Sequence, residues 1–142
     1  MISLISESPR ETEKIAENLT QLLPRGSILA ISGSLGSGKT VFVKGLAKGL
    51  KIRGKITSPT FIICCLYRNP SKRKLNLAHF DLYRIEKPKL LFELGFSEIL
   101  NDPRNLTAIE WAENAKSLLP KRAIFVELQT TARPNQRIIK IF

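Results

Sequence analysis

Acidic residues are scarce in this chain. It carries 12 Asp and Glu against 23 Lys and Arg, which leaves a formal charge of +11 and a pI near 10.1. So basic a balance points either to an acidic partner such as nucleic acid or to a lysine-rich solvated surface. The cations are spread along the sequence, with the densest run at Arg68–Lys74, and composition does not separate the two. Cysteine is nearly absent as well: Cys64 and Cys65 are the only two. Neighbours in an extended run point to opposite faces and are poorly placed to pair with each other. Two thiols without further Cys or spaced His ligands make no zinc site, so both read as small apolar fillers of a strand. No apolar run approaches the ~18–20 residues of a membrane span. The Met1–Glu7 start has neither the basic residues nor the long apolar stretch of a secretory signal. The expected setting is the cytoplasm, with no membrane partner. Internal repeats and low-complexity tracts are missing too.

What remains is an ordinary globular composition: 142 residues, 43% hydrophobic and 25% charged. That suits a single domain over 1–142 and is short for two. Ser8-Pro9-Arg10-Glu11 supplies a cap, a first-position proline and a capping-box acid, and Ile15, Leu19, Leu22 and Leu23 follow at helical spacing. Ser27–Ser32 is a short, mostly apolar strand, and a second helix runs from Lys39 to about Lys48. Phe61–Tyr67 and Asn76–Tyr83 read as an antiparallel pair of strands around the polar loop Arg68–Lys74, which reads as mobile. Lys87–Leu94 looks helical, with one further turn near Ser97–Leu100. Asn105–Glu110 is a buried strand ending in an acid, Ala112–Leu119 a helix, and Ala123–Gln129 with Arg137–Phe142 a closing pair of strands. This order predicts an α/β fold, a P-loop NTPase with a mixed, largely parallel central sheet flanked by helices.

The first strand runs straight into Gly33-Ser34-Leu35-Gly36-Ser37-Gly38-Lys39-Thr40. Binding a phosphate takes several N–H donors converging on one anion with side chains out of the way. Gly33, Gly36 and Gly38 let the backbone curl and expose its amides, those of Leu35 and Ser37 included. The helix that starts at Lys39 adds free N–H groups and its positive end. Lys39 reaches the β- and γ-phosphates as a point charge, and Thr40 offers a hydroxyl to magnesium. A pattern this short occurs by chance, but its place between a buried strand and an amphipathic helix is the confirming context. The expected ligand is ATP with Mg2+, since no guanine-selecting Asn-Lys-x-Asp run is present.

Hydrolysis also calls for a second magnesium contact and a group that positions water. Glu110, directly after the apolar run Leu106–Ile109, should surface at the carboxyl edge of the sheet beside the loop. The alternative is an acid that merely opens the next helix. Asp81 lies in His79-Phe80-Asp81-Leu82-Tyr83-Arg84, where His79, Asp81 and Tyr83 share one face of a strand. Asp81 either orients the attacking water, or a water on magnesium, or forms a salt bridge with Arg84 or a nearby lysine. His79 reads as a structural hydrogen-bonding residue, and Trp111 as core packing or as a wall of the nucleotide site.

Together these segments, with Ser58-Pro59-Thr60-Phe61, Glu93-Leu94-Gly95 and Glu110-Trp111, make a sequence that resembles the TsaE (YjeE) family. These are bacterial ATPases required for making threonylcarbamoyladenosine in transfer RNA. The resemblance spans nearly the whole chain. It implies that Lys39 and Thr40 bind phosphate and magnesium, that Glu110 helps hold magnesium, and that Asp81 is essential for hydrolysis. It implies that Thr60 belongs to a switch-like loop facing the γ-phosphate and that Ser8–Thr12 approach the base. Ala132 and Arg133 match a late Gly-Arg pair near the nucleotide. The family works with TsaB and TsaD, which transfers the threonylcarbamoyl group to an adenosine beside the anticodon, so tRNA is reached through that complex. Three positions depart from the family pattern: Ser34 stands where an Asp is usual, Cys64-Cys65-Leu66 where an acid precedes the tyrosine, and Ala132 where a glycine is expected.

Two other functions fit the same residues. One is a nucleotide-dependent binding module with negligible turnover, since no arginine finger is evident in the chain. The other is a small-molecule kinase, for which Arg68, Arg73 and Arg84 would have to build a lid. The basic run Arg68–Lys74 could face a partner, tRNA phosphates or only solvent, and it has no interleaved aromatic on which a base could stack.

Overall fold

Seven strands form one sheet in the computed structural model, which describes residues 1–142. In chain order they are β1 (Ile2–Ser6), β2 (Ile28–Ser32), β3 (Cys64–Tyr67), β4 (Asn76–Asp81), β5 (Asn105–Glu110), β6 (Ile124–Thr130) and β7 (Arg137–Ile141). Across the sheet the order is β1-β7-β6-β2-β5-β4-β3. The four central strands run parallel, and β1, β7 and β3 pair antiparallel at the two edges. The expected α/β architecture with a mixed sheet is therefore present, its parallel part at the centre.

Strand alternation sends two apolar sets to opposite faces. Leu29, Ile31, Leu106, Ala108 and Leu77 pack under helices α1 (Pro9–Thr20) and α2 (Lys39–Gly49). Ile28, Ala30, Ile109, Ala78 and Phe80 face the other layer. That layer holds the short helices α3 (Leu90–Glu93) and α4 (Phe96–Asn101) and a 3-10 helix at Ala112–Leu118. On the first face, α1 lies close on α2 because Gly45 and Gly49 sit one turn apart. A Cβ at Gly45 would collide with the Glu13 carbonyl, and one at Gly49 would come within 2.6 Å of the Thr20 side chain. The cap at the start of α1 forms, with the reciprocal bond shifted by one residue: Ser8 Oγ accepts from the Glu11 amide at 3.1 Å, and Glu11 Oε2 reaches past the cap to accept from the Glu7 amide at 2.7 Å.

Several local expectations change. β1 was not foreseen; it gains strand geometry from β7, its partner at the far end of the chain. The segment expected as a strand from Phe61 is a turn up to Ile62, with Phe61 82% exposed and Ile63 at φ 68°, and pairing begins only at Cys64. Lys87–Leu94 contracts to the single turn of α3, and the helix after Glu110 is a 3-10 helix kinked at Ala115. The cysteines fill strand β3 as free thiols, with burial pushing the Cys64 thiol up to about 12. The loop expected to be mobile, Arg68–Lys74, is instead tied down: Asn69 Nδ2 donates to the Leu50 and Leu75 carbonyls at 2.9 and 3.3 Å.

Candidate functional site

Three parallel strands end in one row at the carboxyl edge of the sheet. Register aligns Ile31 with Glu110 and Glu110 with Asp81. Both carboxylates therefore stand side by side on the face covered by α2, directly after the strand that feeds the glycine-rich loop. Asp81 is 3% exposed and Glu110 2%. A parallel sheet places them there because its strands all deliver their carboxyl ends to the same edge.

The loop curls as its glycines require. Gly36 and Gly38 take φ of 77° and 97°, values L side chains rarely adopt. A Cβ at Gly36 would meet nothing within 4 Å, so glycine is needed there for its backbone and not for crowding. Gly33 is different: a Cβ there would strike the Leu128 carbonyl and lie 2.6 Å from Ser37 Oγ. Gly38 caps α2 without a side-chain bond, which leaves the first-turn amides of the helix free for an anion. Ser37 Oγ is buried inside the loop with no partner.

Lys39 folds back over this loop. Its Nζ donates to the Gly33 and Ser34 carbonyls at 2.7 and 2.9 Å and lies 3.8 Å from the centroid of the Trp111 ring. Burial lowers its pKa from the ordinary 10.5, and the Glu110, Glu113 and Asp81 carboxylates act in the opposite direction. Two carbonyls are a weak substitute for phosphate oxygens, so the ammonium is held in place but not neutralised.

Thr40 Oγ1 donates to both oxygens of Glu110, at 2.9 and 3.0 Å. A hydroxyl and a carboxylate converging in this way fit a magnesium ion. No group of three or more His, Cys, Asp or Glu is assembled to hold a metal. Two protein oxygens with the remainder from phosphate and water is the usual economy of magnesium at a nucleotide. His79 stands beneath this pair, fully buried, with Nε2 2.7 Å from Glu110 Oε1 and Nδ1 without a partner. It orients the carboxylate, in line with the structural reading.

Asp81 forms no salt bridge. Its Oδ2 accepts from Ser58 Oγ and from Thr60 Oγ1, the latter at 2.8 Å, and its Oδ1 accepts from the Tyr83 amide at 3.0 Å. Arg84, the expected ion partner, instead stacks 4.4 Å over the Phe61 ring. The Thr57–Thr60 loop is thereby drawn across the open side of a cavity of about 480 Å³. Leu35, Gly36, Gly38, Lys39 and Thr40 form one wall of it, with Ser58, Thr60, Asp81, Tyr83 and Trp111 opposite. Trp111 does both jobs the sequence left open: it packs against the core of the second layer and walls the cavity, its φ of 56° turning the chain after Glu110 and swinging the ring over Lys39, with Tyr83 4.9 Å away.

Ala132 and Arg133 lie outside this lining, in the bend between β6 and β7, where Arg133 Nη1 is 3.9 Å from Glu7 Oε2. Gln136 Nε2 also donates to Glu7 Oε1 at 2.9 Å, so the late bend and the entry to α1 meet beside the phosphate loop. One residue that holds the site together was missed from the sequence. Arg137, the first residue of β7, donates to the Ser37 and Gly36 carbonyls at 3.0 Å each and to those of Pro134 and Gln136 at 2.7 Å. It turns the loop carbonyls outward, which aims the intervening amides inward. Nothing local marks it, because its partners lie 100 residues away.

The chain matches the family model "Threonylcarbamoyl adenosine biosynthesis protein TsaE" over residues 6–139. A tRNA threonylcarbamoyladenosine biosynthesis protein TsaE from Treponema pallidum is 36% identical over 94% of this chain and 96% of its own length. One of the same name from Aquifex aeolicus is 37% identical over 98% and 94%. Among solved structures, YdiB from Bacillus subtilis superposes with a TM-score of 0.82 at 28% identity, covering 99% of this chain and 83% of that one.

Proposed function

The chain belongs to the TsaE family of tRNA threonylcarbamoyladenosine biosynthesis proteins, and from that premise we propose that it binds Mg-ATP and hydrolyses it. In this reading it works in the cytoplasm with TsaB and TsaD partners, which present the tRNA adenosine next to the anticodon. The observation that carries the proposal is the juxtaposition of the Thr40–Glu110 pair with the glycine-rich loop on one side and the Asp81-held hydroxyls on the other.

The roles follow from position. Amides of Leu35 through Thr40 cradle the β-phosphate, and Lys39 exchanges the Gly33 and Ser34 carbonyls for phosphate oxygens. Thr40 and Glu110 would hold magnesium, which supplies positive charge to the β- and γ-oxygens. Asp81 fixes the hydroxyls of Ser58 and Thr60 at the γ-phosphate end, where the attacking water must sit. Ala132, Arg133 and Ser8–Thr12 bound the base side of the loop. The water oxygen bonds to the γ-phosphorus, the bond to the bridging oxygen breaks, and ADP and inorganic phosphate leave.

No arginine lines the cavity, and the transition-state charge lacks an internal partner. Turnover by the isolated chain is therefore slow and rises when TsaB and TsaD are added. The kinase reading loses most of its lid, because Arg68 and Arg73 lie at the amino end of β4, opposite the phosphate loop, and Arg84 alone remains near it, stacked on Phe61. Phosphate release from ATP without an acceptor, measured with and without both partners, tests the proposal. Partner-independent absence of turnover would leave only the nucleotide-dependent binding module.

A further inference from the structure

The parallel strands have a second end, and it is built of cations. At the amino edge of the sheet, Lys51 and Arg53 follow α2, and Asn69–Lys74 precede β4. Between them lies a cavity of about 310 Å³ lined by Lys51, Arg53, Lys74, Asn69, Ser71 and Pro70, with no apolar side chain but the Pro70 ring and no acid. A second cavity of about 350 Å³ shares Lys51 and Lys74 with it and adds Arg25 and Arg73, with Leu50 and Leu75 as its apolar lining. The two form one cleft with five cations. None of the five takes part in an ion pair, although four Lys and Arg side chains elsewhere in the molecule do.

The floor of this cleft is fixed. Asn69 bridges the end of α2 and Leu75, its amide donates to Asn76 Oδ1 at 2.9 Å, and Arg25 Nη1 donates to the Arg73 carbonyl at 3.3 Å. Lys51 is held at φ 60°, in the left-handed region. The side chains of Arg53, Arg73 and Lys74, in contrast, make no hydrogen bond within the protein, and all three are exposed. A rigid backbone that presents unpaired cations around a polar hollow is an electrostatic site for a chain of phosphates. A membrane surface suits it poorly, because its apolar lining is limited to Pro70, Leu50 and Leu75, and the two leucines are already packed in the core and not free to enter lipid.

We propose that this cleft is a second anion site, distinct from the nucleotide cavity, which holds the phosphodiester backbone of the tRNA substrate directly. It goes beyond the ATPase reading, in which tRNA is reached only through the partners. Five residue steps along β4, from Asn76, separate it from Asp81, about 17 Å at strand rise, so nucleotide and RNA bind at the same time. Contacts confined to phosphate make the binding independent of base sequence and steeply dependent on salt.

The test titrates an unmodified tRNA transcript with the whole chain by fluorescence anisotropy over a range of salt. The variant is R53Q, R73Q and K74Q combined, and the control is K87Q, K116Q and K121Q, three exposed cations elsewhere with the same loss of charge. The cleft variant should bind tRNA at least about tenfold more weakly and flatten the salt slope by about two to three units, about 0.7–0.9 for each phosphate that is no longer neutralised. The control should stay within about twofold. R53K with R73K should also stay close to wild type, which separates charge from fold. ADP affinity, unchanged in every variant, reports that the protein is folded and tests the nucleotide reading separately. Equal losses in the cleft and control variants overturn the proposal, as does a wild-type chain that does not bind tRNA. Cleft-dependent sedimentation with phosphatidylglycerol vesicles in the absence of tRNA binding would reassign the cleft to membrane and equally overturn it.

Discussion

The two ends of the parallel strands handle charge in opposite ways. At the carboxyl edge the three charged side chains at the centre of the site are buried and held: Glu110 by Thr40 and His79, Asp81 by Ser58, Thr60 and the Tyr83 amide, Lys39 by two carbonyls and an indole ring. At the amino edge the backbone is held but the cations of Lys51, Arg53, Arg73 and Lys74 stand in water. The first arrangement suits a compact anion that must be positioned to within a fraction of an ångström. The second suits a long polyanion recognised by its field. Strand direction explains the division, since it gathers all loop-to-helix turns at one edge.

If the carboxyl edge is the positioning end, its charges should be individually indispensable. Lys39→Ala is expected to weaken ADP binding beyond about a thousandfold, about 4 kcal/mol, because no other cation lines the cavity. Calorimetry with ADP and magnesium measures this, and wild-type affinity in the variant would remove the basis for the phosphate site. Asp81→Ala and Glu110→Ala should divide binding from chemistry. Each keeps ADP affinity within about tenfold, about 1.4 kcal/mol, while ATP turnover falls by about a hundredfold. Full turnover in Asp81→Ala would reduce that residue to a latch for the Thr57–Thr60 loop.

Arg137 sharpens the contrast, because it is a cation at the carboxyl edge whose partners are carbonyls of the loop and not a ligand. Arg137→Gln should weaken ADP by about tenfold through a slackened loop, with Arg137→Lys restoring part of the affinity. Identical calorimetry for the variant and wild type would mean that the loop holds its shape unaided. The smallest effect is expected from pH. Lys39 is charged less readily than an ordinary lysine because burial lowers its pKa below 10.5. Phosphate oxygens favour its charged form and raise that pKa on binding. ADP affinity is then full below the lowered value and falls as pH rises through it, earlier than a lysine in water would allow. A pH-independent affinity up to 10.5 would show that Lys39 titrates normally.

The phosphate loop, the strand that leads into it and Glu110 were all legible in the chain, because each is a contiguous pattern. A buried apolar run followed by three spaced glycines, a lysine and a threonine leaves little freedom, and an acid closing a second apolar run must emerge beside it. Asp81 was legible as a candidate but not in its contacts. The sequence left a water-orienting role open beside a salt bridge with Arg84 or a lysine, and that the carboxylate accepts from two hydroxyls depended on how the Ser58–Thr60 loop folds back over β4. Trp111 was undecided for a similar reason, since its left-handed backbone after Glu110 is what lets one ring both pack against the core and line the cavity.

Local sequence determined the helices, the parallel strands and the loop that turns between them, since spacing and backbone preference act over a few residues. Tertiary structure decided the rest. β1 became a strand because β7 offered its edge, Arg137 reached the loop from across 100 residues, and separate cations on three connections closed into one cleft. Pairing, long-range hydrogen bonds and summed charge depend on distances in space, and a linear order of residues specifies those only after the chain has folded.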